Sequence, residues 1–208
     1  MQNHGYVNMF SGIVQQQGTI KKIQKHKGLK TFFISFDECN KCSIGDSVAI
    51  NGTCLTVTDF NHEHSIASFD AVPETLSKTN LNNLEKNDMA NVELAIRYGD
   101  LVGGHMVQGH IDETGIVKVV EDVGGALLVE ISASNEFLQY LIPKGFVTID
   151  GMSITVVKIK KDSFTVTLIP HTIDITVAKN YANGSVVNLE SDATGKYIYK
   201  YVQGLKNV

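Results

Sequence analysis

Apolar and polar positions alternate in short runs along most of this chain, and Gly, Asn and Asp interrupt the runs at close intervals. Ser47 to Ile50, then Asn51-Gly52, then Cys54 to Phe60, read as a β-hairpin. Asn and Gly take up the left-handed backbone of a two-residue hairpin turn most readily. Phe146 to Ile149, Asp150-Gly151 and Ser153 to Ile159 repeat the device. Further strands are expected at Lys30 to Phe36, Ser65 to Phe69, Asn91 to Ile96, Gly125 to Ile131 and Ser163 to Ile169. Many short strands parted by turn residues predict small antiparallel barrels or sandwiches. Only the end of the chain changes period. Ile198, Tyr201, Val202 and Leu205 follow i, i+3, i+4, i+7 spacing, an apolar stripe on one helix face. A short terminal helix cannot bury that stripe alone, so it is expected to dock on this subunit or another.

The hairpins belong to a longer duplication. Gly45-Asp-Ser-Val-Ala-Ile-Asn-Gly-Thr-Cys-Leu-Thr-Val57 returns as Lys144-Gly-Phe-Val-Thr-Ile-Asp-Gly-Met-Ser-Ile-Thr-Val156. Val72-Pro-Glu-Thr-Leu76 returns as Ile169-Pro-His-Thr-Ile173, and Ala90-Asn-Val-Glu-Leu94 as Val187-Asn-Leu-Glu-Ser191. Phe10-Ser-Gly-Ile-Val14 with Gly18 answers Val107-Gln-Gly-His-Ile111 with Gly115. A period of about 97 residues is too long for solenoid units of about 20–50 residues. Two homologous domains in tandem are expected, residues 1–105 and 106–193, followed by a helix over 194–208.

Composition narrows the function. The chain has 208 residues, 43% of them hydrophobic, enough to build real cores. With a net charge of −4 and no Lys/Arg-rich stretch, nothing marks a nucleic-acid binder. Uncharged runs such as Val123 to Val129 are too short to span a bilayer, and Met1 to Asn8 lack the apolar segment of a signal peptide. A soluble, cytoplasmic protein is expected. Three cysteines, an odd number, do not make a disulfide scaffold. Cys39 and Cys42 form a C-x-x-C, but Cys54 stands alone and no second ligand pair completes a zinc set. His105 and His110 have no recognised metal spacing and read as a hydrogen-bonded linker between the repeats. No phosphate loop or nucleophile elbow occurs. Neither metal nor cofactor is expected.

Side chains two apart on a strand share a face. Cys54 and Thr56 therefore lie together, with Leu55 and Val57 opposite; Ser153 and Thr155 repeat this with Ile154 and Val156 behind them. These polar pairs read either as the solvent side of a hairpin or as two ancestral ligand sites that have diverged, thiol in one and hydroxyl in the other.

In this order and with this duplication, several segments resemble one family. They are Met9-Phe-Ser-Gly-Ile-Val14, Asn51-Gly-Thr-Cys-Leu-Thr-Val57, Ser68-Phe-Asp70, Pro73-Glu-Thr-Leu76, Gly103-Gly-His105, Gly109-His-Ile111 and Asp150-Gly-Met-Ser-Ile-Thr-Val156. The family is that of riboflavin synthases and related lumazine proteins, and the match runs from about Met9 to Val202. The resemblance implies two six-stranded Greek-key antiparallel barrels, an all-β fold with a C-terminal helix. It implies a homotrimer joined through that helix, and lumazine synthase as a candidate partner. One 6,7-dimethyl-8-ribityllumazine would bind in each barrel, with catalysis where the N-terminal barrel of one subunit faces the C-terminal barrel of the next.

Carried over by motif, the N-barrel pocket would draw on Gly12, Ile13 and Val14, on Cys54, Leu55 and Thr56, and on Gly109, His110 and Ile111. Asp70, Ala71, Val72, Pro73, Glu74 and Thr75 would complete it. The C-barrel pocket would draw on Lys144, on Ser153, Ile154 and Thr155, and on Thr167, Leu168, Ile169, Pro170, His171 and Thr172. Ser47, Cys54, Thr56, His105, Ser153, Thr155 and Asp192 would take part in catalysis. Water, Cys54 or a ribityl hydroxyl is the candidate nucleophile, and Asp192 or His105 the candidate proton carrier. His171 departs from the family, which often has Glu there, as Glu74 is in the first repeat. Residues 1–8 read as an extension before the usual start at Met9. The competing reading is a non-catalytic lumazine or flavin carrier.

Overall fold

The computed structural model describes residues 9–206. The first barrel is built from β1 (Gln16–His26), β2 (Leu29–Ser35), β3 (Ser47–Ile50), β4 (Thr53–Asn61), β5 (Ile66–Ala71) and β6 (Met89–Leu94). They close in the order β1-β2-β5-β4-β3-β6, every pairing antiparallel. The second repeat gives β7 (Glu113–Asp122), β8 (Leu127–Ser132), β9 (Phe146–Ile149), β10 (Met152–Ile159), β11 (Ser163–Leu168) and β12 (Val186–Ser191), closed in the same topology. Pairing β2 with β5 rather than β3 makes each a Greek key. Closure leaves no sheet edge to pair with other chains.

The turns joining β3 to β4 and β9 to β10 show how sequence sets register. Asn51 and Gly52 both have positive φ (45° and 76°), as do Asp150 and Gly151 (44° and 85°), the geometry that matches hairpin twist. This fixes Ser47 opposite Thr56 and Thr155 opposite Phe146. Alternation then sends Leu55 and Val57 into the first barrel, where they join Ile20, Phe32, Ile34 and Phe69. Burying each such side chain stabilises the fold by about 1.5–3 kcal/mol. Cys39 and Cys42 sit in and beside a 3-10 turn ahead of β3, inside the same core. Burial pushes their thiols up to about 11 and about 12, away from the reactive thiolate.

Two short helices, α1 (Pro73–Lys78) and α3 (Pro170–Ile175), follow β5 and β11, each opened by a proline whose fixed φ suits a first helical position. Between them in sequence lies the one-turn α2 (Asn135–Leu138), capped by the Ser134 hydroxyl. The last element is α4 (Ala193–Lys206). It is tied to the second barrel near its start, through Lys196 to Asp112 at 2.6 Å and Tyr199 edge-on to Tyr140. Its apolar stripe stands in solvent: Ile198 is 59% exposed and Tyr201 75%.

The barrels meet across a pseudo-twofold axis. On β6, Ala90 and Val92 face the barrel core, Asn91 is buried against the other barrel and Glu93 beneath the segment at Ser11; on β12, Asn188 is buried against the other barrel and Glu190 beneath Gln108 and Gly109. The two hairpin turns press together so closely that a Cβ on Gly52 would lie 2.5 Å from the Gly151 nitrogen. Around them the side chains of Asn51, Asn80, Asn91, Asp150 and Asn188 form a continuous hydrogen-bonded network. Asp150 is fully buried there and accepts from the Tyr181 hydroxyl at 2.7 Å; burial pushes its carboxyl up to about 6.

Candidate active site

The segments before β1 and β7 do not stay with their own barrels. Phe10 and Val107, equivalent residues of the two repeats, pair with each other: each nitrogen donates to the other's carbonyl, at 2.8 and 3.0 Å. Beyond that bridge the chains cross over. Ser153 N donates to the Gly12 carbonyl at 2.8 Å, and Cys54 N to the Gly109 carbonyl at 2.9 Å. Val14 ends in the core of the second barrel. Gly12, Ile13 and Val14 thus belong to the C-barrel site, which corrects their expected place in the N-barrel pocket. Similarity between repeats identifies equivalent positions but says nothing of which barrel an equivalent segment covers.

Close approach explains the glycines at the crossings. Gly12 and Gly109 have φ of 72° and 76°, and a Cβ on either would come within 2.6 Å of the Cβ of Ser153 or Cys54. Both segments are held by a buried carboxylate. Glu93 Oε1 accepts from the Ser11 nitrogen and hydroxyl, each at 2.8 Å. Glu190 accepts from Gln108 N at 2.9 Å and Gly109 N at 3.0 Å. Burial raises both carboxyls, Glu93 to about 7, although Ser11 and the amides of Gly12 and Ile13 pull Glu93 the other way. Sequence reasoning missed this pair. A glutamate kept at the same strand position in both repeats was the available signal.

On the second barrel the crossover closes a cavity of about 200 Å³. Gly12, Ile13, Val14, Ser153, Ile154, Ile169, His171 and Thr172 line it, all expected, together with Met152, Ile175 and Thr176, which were not. Ser153 Oγ lies 2.6 Å from His105 Nδ1, and Thr148 Oγ1 lies 3.3 Å from Nε2. The imidazole stacks on Phe146 with centroids 5.0 Å apart. Burial lowers the His105 pKa, and the nearby Asp192 carboxylate partly opposes this. A neutral imidazole against a hydroxyl is a proton acceptor in place. Asp192 Oδ1 also accepts from Thr194 N at 2.9 Å, capping α4.

The first barrel offers a different set. Cys54 is half-buried, its thiol pushed up by burial and eased by a hydrogen bond from Ser47, on the adjacent strand. The position equivalent to Ser47 is Phe146, so one barrel places a thiol beside a hydroxyl where the other places a hydroxyl beside an imidazole on a ring. Ile111 is half-buried and His110 exposed beside the Gly109 crossing. Val72, Pro73 and Glu74 are exposed at the start of α1, and Thr75 is half-buried.

Several expected residues stand apart. Leu55, Ala71 and Leu168 turn their side chains into the barrel cores, since neighbours on a strand alternate faces, and only their backbones can reach a ligand. Thr56, Thr155 and Thr167 are exposed on outward faces. Asp70 accepts from Thr31 at 2.6 Å across β2 and β5. Pro170 is exposed at the head of α3. Lys144 is exposed in the loop before β9, outside the cavity lining. No group of three or more His, Cys, Asp or Glu able to hold a metal occurs among the described residues.

Two closed Greek-key barrels with exchanged closing segments, and with Cys54 and Ser153 at equivalent places beside the crossings, define a class of pseudo-symmetric double barrel. Comparison with known proteins gives it a family. A model described as the lumazine binding domain matches residues 11–95 and again 108–192, and the chain belongs to that family. It is 37% identical to riboflavin synthase of Bacillus subtilis over 93% of this chain and 90% of that protein. Against riboflavin synthase of Actinobacillus pleuropneumoniae the identity is 39% with the same coverage, and against that of Escherichia coli 36%, covering 88% and 87%. Among solved structures it resembles LumP complexed with riboflavin, at TM-score 0.81 and 26% identity, covering 88% of this chain and 100% of that one.

Proposed function

We propose that this protein is a riboflavin synthase: it takes two molecules of 6,7-dimethyl-8-ribityllumazine, moves a four-carbon unit from one to the other, and releases riboflavin and 5-amino-6-ribitylaminouracil. The observation that carries this is the pair of pseudo-symmetric sites with unlike groups, in a chain 36–39% identical to bacterial riboflavin synthases over most of its length. Two identical substrates must play unlike parts, since one accepts a nucleophile at its ring while the other loses a proton from its methyl group. Cys54 with Ser47 on one barrel, and Ser153 with His105 on the other, supply unlike surroundings. Holding the two rings in fixed register can contribute up to about 7–11 kcal/mol. Asp192 acts through His105, whose proton affinity its charge raises. Thr56 and Thr155 lie two residues on, on the same faces. The substrates carry the reactive ring system, so no cofactor enters the scheme.

The active form on this reading is a homotrimer. Its support is the exposed stripe of α4 and the small C-barrel cavity, about 200 Å³ against about 300–1,000 Å³ for sites that envelop a ligand. A neighbour's barrel would supply the missing wall. Residues 1–105, 106–193 and 194–208 are then the two binding units and the assembly helix. No helix among the described residues is long and apolar enough to cross a membrane; the cytoplasmic location is part of this reading and rests on the resemblance to riboflavin synthases. Association with lumazine synthase rests on the resemblance alone. Incubating the protein with the lumazine in EDTA should give the visible absorbance of riboflavin at a steady rate. Tight lumazine binding without that rise would identify a carrier instead.

A further inference from the structure

We propose that Glu93 and Glu190 are positioning residues, each standing in one barrel and holding the segment that closes the ligand site of the other. The inference rests on the lumazine-binding reading of the two sites. Glu93 stands on β6 of the first barrel, and Ser11, which it grips, leads directly into Gly12, Ile13 and Val14 on the wall of the C-barrel cavity. Glu190 stands on β12 of the second barrel and grips Gln108 and Gly109, whose backbone lies on Cys54 in the first. Neither carboxylate lines the cavity beside Ser153: Glu190 is 2% exposed, and Glu93, 8% exposed, borders a separate hollow with Ser11, Glu38 and Lys41. Both are nonetheless costly to bury, as the raised proton affinity of each carboxyl reflects. A core built only for stability would do better with an apolar pair at these positions. What the carboxylates do supply is an acceptor for backbone amides of a segment that has left its own barrel, at the point where that segment turns toward the other site. The dependence is crossed: damage on one barrel is read out at the ligand of the other.

The test uses full-length Glu93→Ala and Glu190→Ala with 6,7-dimethyl-8-ribityllumazine as probe. Binding stoichiometry comes from fluorescence titration, and occupancy of the N-barrel site from protection of Cys54 against iodoacetamide, followed by mass spectrometry. Removing hydrogen bonds to a charged acceptor should weaken the affected site about 10- to 100-fold. Glu93→Ala should lose one of two bound lumazines while ligand still protects Cys54. Glu190→Ala should lose one lumazine together with the protection. Glu93→Gln should restore binding, since both of its hydrogen bonds run to a single oxygen that the amide keeps; Glu190→Gln should restore it only in part, since both oxygens are used. If an alanine variant fails to fold, the aspartate variant, which keeps the charge and withdraws the acceptor by one methylene, takes its place. Equal weakening of both sites in either variant, or loss at the same barrel as the mutation, would overturn the proposal. Wild-type protein that bound no lumazine would instead refute the functional reading beneath it.

Discussion

Asp150 is the place where the two repeats differ at their contact, and replacing it with asparagine should stabilise the protein at neutral pH. Its counterpart, Asn51, already fills the equivalent turn position, accepting from Asn91 N at 2.8 Å. The asparagine oxygen at 150 would keep the donors Asn188 N (2.8 Å) and Asn80 Nδ2 (2.9 Å), while its amide would face the Tyr181 hydroxyl, which can turn to accept. What disappears is a buried charge. Burial lifts the Asp150 carboxyl from 3.8 to about 6, so the folded state holds its proton more tightly than the unfolded chain does. Its stabilising contribution is complete below about pH 4 and is lost as pH rises through about 6. At 1.36 kcal/mol per pH unit, the loss across that window is at most about 3 kcal/mol. The variant escapes it. Melting temperatures of wild type and Asp150→Asn, followed by circular dichroism from pH 4 to 8, should diverge in the variant's favour by about 6–12 °C at the upper end. Parallel curves would show that the carboxylate is solvated or compensated in a way this network does not provide.

Alanine at Gly12 or Gly109 should cost about 1–3 kcal/mol through left-handed strain and clash, and should weaken lumazine binding at the C-barrel or N-barrel site respectively, as titration of each variant would read. Cys54→Ser and Ser153→Ala should lower kcat more than they raise KM, because a positioned reacting group acts chiefly in the transition state; unchanged kcat in either would remove that residue from the chemistry. Deleting residues 194–208 should yield a species of lower mass by sedimentation that still binds lumazine and has lost turnover, whereas a fully active monomer would show that the site closes within one chain.

The strands flanking the Asn-Gly and Asp-Gly turns, and the terminal helix, are legible in the sequence because period and turn chemistry agree there. β1 and β7 are not, although they are the longest strands. A register shift between Ile20 and Lys22, and another between Val117 and Val119, breaks the two-residue alternation. Most of β1 beyond the shift is also exposed and polar. α1 and α3 escape notice because six residues carry too little periodicity. Within the site, Cys54 and Ser153 are readable from a hairpin face, and His105 from the resemblance. The stacking of His105 on Phe146 is not readable, since it joins residues far apart in sequence through a crossover that no local pattern encodes.

That crossover also sets an order of events on the ribosome. Gly12 to Val14 precede β12 by about 180 residues, and their seat beside Ser153 and in the second core exists only once β12 has been synthesised. At about 5–20 residues per second, the leading segment waits roughly 10–40 seconds with its place unmade. The first barrel closes on itself long before, but Cys54 stays uncovered until Gly109 has emerged. The nascent chain therefore carries Ile13 and Val14 uncovered until the second barrel is made, and slowing synthesis within the second repeat would lengthen the time in which a chaperone or a neighbouring chain could take hold of them.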